Sequence, residues 1–259
     1  MKKQTAVIGA LVSLLPMGQP LVIGTGAVLT SAGVMLSVPE TVHAESADFY
    51  FDRGYNKGES GDHYGAIADY NKAIEINPRD AIAYHNRGWN KNELEDHYGA
   101  IADYNKAIEI NPSYADAYNN RGNAYLALED YYGAIADYNK AIEINPSYAI
   151  AYSNRGISKE RLEDYYGSIA DHNRAIEINP SYANAYYNRA YSKGELKDYY
   201  GAIADYTRAI EINPNNRGAY KNRGISKENV GDLNGACADW REASYLGDQD
   251  AAKWVRNEC

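Results

Sequence analysis

YGAIADYNKAIEINP occupies residues 64–78, and the same fifteen letters return at 98–112 and at 132–146. Two near copies follow, YGSIADHNRAIEINP at 166–180 and YGAIADYTRAIEINP at 200–214, and each copy begins 34 residues after the one before. A fixed period of this length is typical of proteins that stack one supersecondary unit many times. Aligned on their recurring glycines, the six units run 47–80, 81–114, 115–148, 149–182, 183–216 and 217–250, with a tail over 251–259.

Each unit is predicted to contain two helices, helix A and helix B. In unit three, Pro112 stops the preceding helix, and Ser113 with Asp116 is predicted to form a capping box that opens helix A. Asp130 is the predicted N-cap of helix B, because a short acidic side chain accepts hydrogen bonds from the free amides of a helix start. Its counterparts in the other units are Asp62, Asp96, Asp164, Asp198 and Asp232.

The second helix of each unit carries an apolar stripe. In unit three this stripe consists of Ile135, Tyr138 and Ile142, which share one helical face. One such hairpin cannot bury its apolar face alone, whereas a stack of similar hairpins can. The repeated stretch is therefore predicted to form the interface between neighbouring units.

A family resemblance follows from the position of particular residues within a unit. Unit three has Tyr118 at position 4, Gly122 at 8, Tyr125 at 11, Ala134 at 20, Tyr138 at 24, Ala141 at 27 and Pro146 at 32. This pattern resembles the tetratricopeptide repeat over residues 47–250. The resemblance implies an all-α fold, a right-handed α-α superhelix of six 34-residue helical hairpins closed by a C-terminal capping helix over 251–259. The wording of the repeats is similar to that of exported bacterial, cyanobacterial-like members.

Two positions depart from the family pattern in all six units. Position 7, usually Leu in the family, is Arg, and position 23 is Asp. We expect an ion pair between helices A and B of each unit, because a partly buried guanidinium needs such a partner. The alternative is an arginine row that binds acidic ligands. The expected structural pairs are Arg53–Asp69, Arg87–Asp103, Arg121–Asp137, Arg155–Asp171, Arg189–Asp205 and Arg223–Asp239.

The two cysteines of the chain, Cys237 and Cys259, both lie in the C-terminal cap. In an exported protein a disulfide between them is one interpretation, since oxidising compartments favour such bonds. Two unpaired thiols are the other. Sequence spacing does not choose between them, because disulfide formation depends on geometry.

The resemblance implies that helix A lines a concave groove through positions 2, 5, 6, 9, 12 and 13. Five successive units carry Asn at position 6, and this row resembles the asparagine ladder with which some family members hold extended peptides. An amide side chain both donates and accepts hydrogen bonds, so it can pair with a peptide backbone. The alternative is that these amides satisfy only local groups. The candidate peptide-binding residues are Asn86, Asn120, Asn154, Asn188, Asn222, His85, Trp89, Asn119, Asn123, Tyr187 and Tyr191.

Enzymatic activity, cofactors and metals are not predicted. His63 and His97 at position 17 and His172 at position 24 stand where other units carry aromatic residues, and His85 has no ligand partner at metal-binding spacing. The carboxylate clamp of chaperone-binding relatives is also not expected, because Lys221 is the one lysine at position 5 and Ile225 stands where the clamp needs Asn.

The first 44 residues differ from the repeats. Lys2 and Lys3 precede the apolar runs 6–15 and 21–38, and Ala44 ends a small-residue cleavage motif. This order predicts a secretory signal peptide over 1–44. The alternative is a retained membrane anchor, since 21–38 is just long enough to span a bilayer. Either form exports residues 45–259, to the periplasm, a photosynthetic lumen or the extracellular space, free or membrane-anchored.

The formal net charge of −9 disfavours nucleic acid as a partner, because such binding depends on Lys and Arg that neutralise phosphates. The predicted function is a non-enzymatic protein- or peptide-binding scaffold or assembly factor outside the cytoplasm. The alternative is a self-associating structural module of the envelope or lumen, favoured by the unusual number of tyrosines, 26 against two phenylalanines. Tyr is well suited to partly hydrated contacts.

Overall fold

The computed structural model describes residues 46–259 and two short strands before them, β1 (Ala27–Leu29) and β2 (Met35–Ser37). The strands pair antiparallel, with Val28 opposite Leu36. The rest of the segment predicted as signal peptide or membrane anchor, including the cleavage site at Ala44, lies outside the described residues. Residues 46–259 form a compact unit of their own.

This unit is built of helices. They are α1 (Ala47–Glu59), α2 (His63–Ile76), α3 (Ala81–Glu93), α4 (His97–Ile110), α5 (Ala115–Ala127), α6 (Tyr131–Ile144), α7 (Ala149–Arg161), α8 (Tyr165–Ile178), α9 (Ala183–Glu195), α10 (Tyr199–Ile212), α11 (Arg217–Asn229), α12 (Leu233–Tyr245) and α13 (Gln249–Glu258). Among these described helices, none combines the length and the apolar character needed to cross a membrane.

The helices pack in chain order. Each helix A packs most extensively on the helix B that follows it, and each helix B packs on helix A of the next unit. The helices A of neighbouring units also touch, α1 with α3 and so on to α9 with α11. The result is the all-α superhelical stack of six hairpins that the 34-residue period predicted.

Every helix B begins at the predicted aspartate. In unit three the Asp130 carboxylate accepts a hydrogen bond from the backbone N–H of Gly133 at 2.9 Å. The residue at this third helical position is Gly in all six units. A side chain there would collide with the capping carboxylate, so the Asp and the Gly of each unit are needed together. The same cap is made by Asp62, Asp96, Asp164, Asp198 and Asp232.

The capping box predicted for helix A of unit three is wrong. The N-cap of α5 is Tyr114, which makes no side-chain capping bond. Ser113 is drawn into the preceding turn, where its N–H donates to Asn111 Oδ1 at 3.1 Å. Asp116 instead accepts a hydrogen bond at 2.6 Å from the hydroxyl of Tyr148, the N-cap residue of α7. The turn after helix B therefore places the helix start one residue later than the sequence motif indicated.

The core of each hairpin is narrow. In unit three Ala134, Tyr138 and Ala141 of helix B are completely buried. Helix A faces this tyrosine with Gly122, where a Cβ would lie 2.7 Å from the Tyr138 ring. In unit three this position therefore has no room for a side chain, because the two helices are spaced by the thickness of one aromatic ring; unit five has the small residue Ala190 at the same position. Small residues on both helices set that spacing.

A polar joint at position 7 connects three helices. In unit two, the Arg87 guanidinium donates two hydrogen bonds to the Asp103 carboxylate on helix B, one of them 2.8 Å from Nε to Oδ2. Arg87 Nη1 donates to Asn71 Oδ1 on the preceding helix B at 2.7 Å, and the guanidinium carbon lies 5.3 Å from the Tyr84 ring centroid. Lys91 Nζ lies 2.8 Å from Asp103 Oδ2. One arginine thus binds its own unit and the unit before it.

The joint recurs along the whole stack. The bidentate pairs are Arg53–Asp69, Arg121–Asp137, Arg155–Asp171, Arg189–Asp205 and Arg223–Asp239. The bonds to the preceding unit are Arg121–Asn105, Arg155–Asn139, Arg189–Asn173 and Arg223–Thr207. The Arg53 guanidinium lowers the pKa of Asp69 to about 2. The paired edge of each guanidinium is occupied by a resident carboxylate and is not open to an acidic ligand.

The last helix closes the stack. Helix α13 begins at Gln249, before the predicted 251, because Asp248 caps it by accepting hydrogen bonds from the N–H groups of Asp250 and Ala251. Trp254 packs on Trp240 of α12 with ring centroids 5.3 Å apart. At the end of the helix, Cys259 is disulfide-bonded to Cys237, with their Cα atoms 5.7 Å apart.

Removal of one joint carboxylate should destabilise the stack far more than removal of a surface carboxylate. Asp171→Ala leaves Arg155 and Lys159, both mostly buried, without their anion, and we expect a loss of about 3 kcal/mol in the free energy of unfolding. Glu177→Ala, which breaks the exposed pair with Arg174, is the matched control and should cost less than about 1 kcal/mol. Urea unfolding followed by circular dichroism measures both. Equal losses would contradict the role given to the joint.

Candidate functional site

The helices A form a row in which neighbouring units contact each other directly. We call the surface carried by positions 2, 5, 6, 9, 12 and 13 of these helices the concave face. It contains all eleven residues predicted to bind a peptide. Because the row is continuous from α1 to α11, side chains of one unit reach those of the next.

Three asparagines at position 6, Asn120, Asn154 and Asn222, donate hydrogen bonds to the preceding unit. Asn120 Nδ2 donates to His85 Nε2 at 2.9 Å, and His85 Nδ1 lies 3.1 Å from Asn86 Oδ1. Since Nε2 accepts, the ring proton is on Nδ1 and is donated to Asn86. Asn119 donates to Asn120 Oδ1, and Asn154 donates to Asn119 Oδ1, both at 3.1 Å. Part of the predicted ladder is therefore a lateral network between units.

The network also reaches into the core. Asn154 Nδ2 donates to Asn123 Oδ1 at 3.0 Å, and the same oxygen accepts the Tyr138 hydroxyl at 2.7 Å. Farther along the row, Asn222 Nδ2 donates to the Tyr187 hydroxyl at 3.1 Å. Asn120, Asn154 and Asn222 thus donate to the residue at position 5 of the unit before, and Asn154 also donates to the residue at position 9. These amides are less available to a ligand.

Asn188 differs from the other asparagines of the row. The preceding unit offers it Ser153, whose hydroxyl is buried 3.5 Å from His172 Nδ1, and Ile157, which has no polar side-chain atom. Within residues 46–259 the Asn188 side chain makes no hydrogen bond. Its amide is half-buried on the concave face and keeps its full capacity to donate and accept.

One pocket opens on the concave face at the first units. It has a volume of about 250 Å³ and collects four of the predicted residues, His85, Asn86, Trp89 and Asn120. Sequence reasoning missed its other side, where helix A of unit one contributes Tyr55, Gly58 and Glu59 and helix B contributes Tyr70. We call this cavity the unit-one pocket. Burial lowers the pKa of His85, so the imidazole at its wall is neutral.

A second pocket of about 340 Å³ opens between units five and six. Its lining includes the predicted residues Tyr191 and Asn222, and it also includes Glu195, Tyr199 and Tyr206, which sequence reasoning missed. We call it the unit-five pocket. The position-by-position comparison of units overlooked these residues because each pocket joins helix A, helix B and the next helix A. The near-identical stretches YNKGE at 55–59 and YSKGE at 191–195 were the available signal.

Carboxylates sit beside the tyrosines of the unit-five pocket. Burial raises the pKa of Glu160, at position 12 of unit four, to about 7. The pKa of Tyr191 is raised by burial first and then by the Glu195 and Glu160 carboxylates. The pKa of Tyr187 is raised by burial and by Glu160 in the same way. This end of the concave face therefore brings the glutamates Glu160 and Glu195 together with several phenol groups.

The histidines lie in packing positions. His63 Nδ1 lies 3.0 Å from Asn90 Oδ1, and His97 Nδ1 lies 2.9 Å from Asn92 Oδ1. His172 is fully buried, and its Nε2 has no hydrogen-bond partner among the described residues. In the part of the chain that the structure describes, no group of three or more His, Cys, Asp or Glu side chains is arranged to hold a metal ion.

Comparison with known proteins yields family and fold matches. The family model described as tetratricopeptide repeat matches residues 115–148 and 183–216, and the one described as TPR repeat matches 59–89 and 92–129. None of the curated proteins compared with the chain matches it.

Solved structures with the same architecture include MamA, which is 25% identical over 64% of this chain and 96% of its own, with a TM-score of 0.58. YrrB, described as a TPR protein with an unusual peptide-binding site, is 24% identical over 72% of this chain and 97% of its own, with a TM-score of 0.58. PilW, described as a type IV pilus biogenesis factor, is 17% identical over 81% of this chain and 98% of its own, with a TM-score of 0.73. The last two matches show a shared fold.

The buried His172 should make stability depend on pH. Burial lowers its pKa from 6.5 to about 4, so below pH 6.5 the unfolded chain takes up a proton that the folded chain does not. Stability is therefore lost as the pH falls from 6.5 towards 4, by about 3 kcal/mol in all. His172→Tyr, which copies Tyr138 of unit three, should remove this part of the dependence.

Thermal unfolding of both proteins between pH 8 and pH 4 measures the effect. At pH 8 the residue is neutral in both states, so any difference there reports packing alone. The two stability curves should diverge below pH 6.5, and parallel curves would show that His172 is not responsible.

Proposed function

Because the chain belongs to the tetratricopeptide repeat proteins, we propose that it is a non-enzymatic scaffold or assembly factor that binds an extended segment of a protein partner along its concave face. Tetratricopeptide repeats support protein–protein interactions, and the proposal names the surface and the form of the ligand. The basic, apolar and small-residue order of residues 1–44 supports action outside the cytoplasm, after cleavage or with a tether through 21–38.

The observation that carries the proposal is the contrast between the two sides of the hairpins. Helix B is nearly the same in five units, whereas positions 5 and 9 of helix A change from unit to unit. The changing residues include aromatic and amide side chains, and they line pockets of about 250 and 340 Å³. Such a surface offers several different subsites along one ligand. The YrrB structure, with its described peptide-binding site, is a precedent for the fold.

Asn188 gives the sharpest test of backbone recognition, because its amide is free of the lateral network. The full chain is screened on an array of unstructured peptides beside the variant Asn188→Ala. Loss of one amide that pairs with the peptide backbone should weaken binding about tenfold, in line with roughly 1.4 kcal/mol for a pair of hydrogen bonds. The variant should keep its thermal stability.

Asn234→Ala is the matched control, since this exposed asparagine lies on helix B of unit six, away from the concave face. It should leave the array pattern unchanged. Equal binding by the two variants and the original chain would remove Asn188 from the site. Binding of no peptide at all would overturn the proposed function.

A second candidate, a self-associating structural module, is favoured by a row of exposed tyrosines. Position 18 of the unit, the second residue of helix B, is a tyrosine in five units. These side chains are 75–77% exposed: Tyr64, Tyr98, Tyr132, Tyr166 and Tyr200. Tyr supplies contact area together with a hydroxyl that tolerates water. A molecular mass that rises with concentration, and is reduced to that of the monomer when all five are changed to Ser, would support this function. A constant monomer mass would exclude it.

A further inference from the structure

Two units carry pentapeptides that agree at four of five residues and that the other units lack. Residues 55–59 read YNKGE and residues 191–195 read YSKGE, and both occupy positions 9–13 of helix A. The corresponding residues of the other units read WNKNE, NAYLA, ISKER and ISKEN. Units one and five therefore agree at positions 9, 11, 12 and 13 although three units with different residues separate them.

The fold turns this pentapeptide into two equivalent pockets. In the unit-five pocket, Tyr191, Gly194 and Glu195 face Tyr206 of helix B and Asn222 of the next helix A. In the unit-one pocket the same positions are Tyr55, Gly58, Glu59, Tyr70 and Asn86. Each pocket thus holds two phenol rings, one carboxylate and one amide in the same places of the repeat.

The lysine of the pentapeptide does not cancel the charge of the pocket. Lys57 Nζ lies 2.8 Å from Asp69, and Lys193 Nζ lies 2.7 Å from Asp205, so both lysines belong to the polar joints. Lys197 also lines the unit-five pocket; like Glu195 it is exposed, and its longer side chain can extend into water away from the carboxylate. Glu59 is the one charged side chain in the lining of the unit-one pocket.

Gly194 has no structural requirement for the absence of a side chain. It lies in helix α9 without a positive φ, and a Cβ there would meet nothing within 4 Å. Glycine weakens a helix relative to alanine, and unit three carries Leu126 at the same position. The glycine therefore leaves the unit-five pocket open. In the unit-one pocket, a Cβ on Gly58 would lie 2.9 Å from Asn90 Oδ1, so packing fixes that glycine.

We propose that each pocket binds the cationic side chain of a lysine or arginine in the partner segment. The carboxylate of Glu59 or Glu195 pairs with the cation, and the neighbouring tyrosine rings pack on its stem and its charged head. The net charge of −9 attracts such a segment to the groove. This inference rests on the proposed function, since the concave face must first admit the segment.

The test uses the full chain and two probe peptides, a Gly-Ser peptide with one central arginine and the same peptide with neutral citrulline. Calorimetry should show about tenfold tighter binding of the arginine peptide, the gain expected from an ion pair with ring contacts. Two arginine peptides should bind per chain. The double variant Glu59→Gln with Glu195→Gln should bind both peptides alike.

Two further variants separate the pockets from general electrostatics. Glu75→Gln with Glu211→Gln makes the same charge change at exposed positions of helix B and should keep the tenfold preference. Gly194→Leu copies unit three and fills the unit-five pocket, so the number of bound arginine peptides should fall from two to one. Its thermal midpoint should not decrease, which distinguishes a filled pocket from an unfolded repeat.

Equal binding of the arginine and citrulline peptides to the original chain would overturn the proposal that the pockets bind a cation. Binding of neither peptide would overturn it as well. The peptide array then decides the proposed function separately. If array peptides bind and Asn188→Ala weakens them, backbone recognition stands without the pockets. If no array peptide binds, both ideas fail. If the control variant Glu75→Gln with Glu211→Gln also loses the preference for the arginine peptide, that preference comes from the overall charge of the protein and not from the pockets.

Discussion

From unit two to unit six, the guanidinium at position 7 connects three helices, and the spacing between neighbouring units depends on it. Arg155 binds Asp171 across its own hairpin with two hydrogen bonds and reaches Asn139 on the preceding helix B with a third at 2.6 Å. Its guanidinium carbon lies 5.4 Å from the centroid of the Tyr152 ring. An arginine with its fixed fork of donors can satisfy both partners at once, which a lysine cannot. The planar group therefore fixes the rotation of one unit against the next.

Such a joint is chosen for register more than for stability. A buried ion pair gains little over a well-packed apolar pair, because both ions lose their hydration. The ion pair acts mainly by destabilising misaligned arrangements. A unit that slipped along its neighbour would leave Asp171 or Arg155 unpaired in a mostly buried place. The apolar part of the packing is rich in alanine, as in the cluster of Ala190, Ala202, Ala209 and Ala219 around Tyr206, and such small residues alone define the register weakly. The ion pairs thus fix the register between units, and the small residues allow the helices to pack closely.

Particular residues show which features of the structure can be predicted from the sequence and which cannot. The period, the helix B caps such as Asp130 and the Arg–Asp pairs follow from residues that recur within one unit, so they could be predicted. The cap of α5 could not, because Asn111 competes for Ser113 through a turn whose path only the folded backbone defines. The same holds for the asparagine row. Whether an amide at position 6 is free depends on two residues of the previous unit, and this is why Asn188 differs from its neighbours. The pockets were missed because each is assembled from three helices.

The identical stretches at 64–78, 98–112 and 132–146 have a consequence for how this protein can change. A gene rearrangement that adds or deletes one 34-residue unit between them joins surfaces that already fit, so the altered chain inherits complete joints. The number of units is then the most easily varied property of the molecule. Any such change moves units one and five apart, or together, in whole steps of the superhelix. Insertion or deletion of a whole repeat therefore changes the distance between the two pockets without requiring a new interface between units.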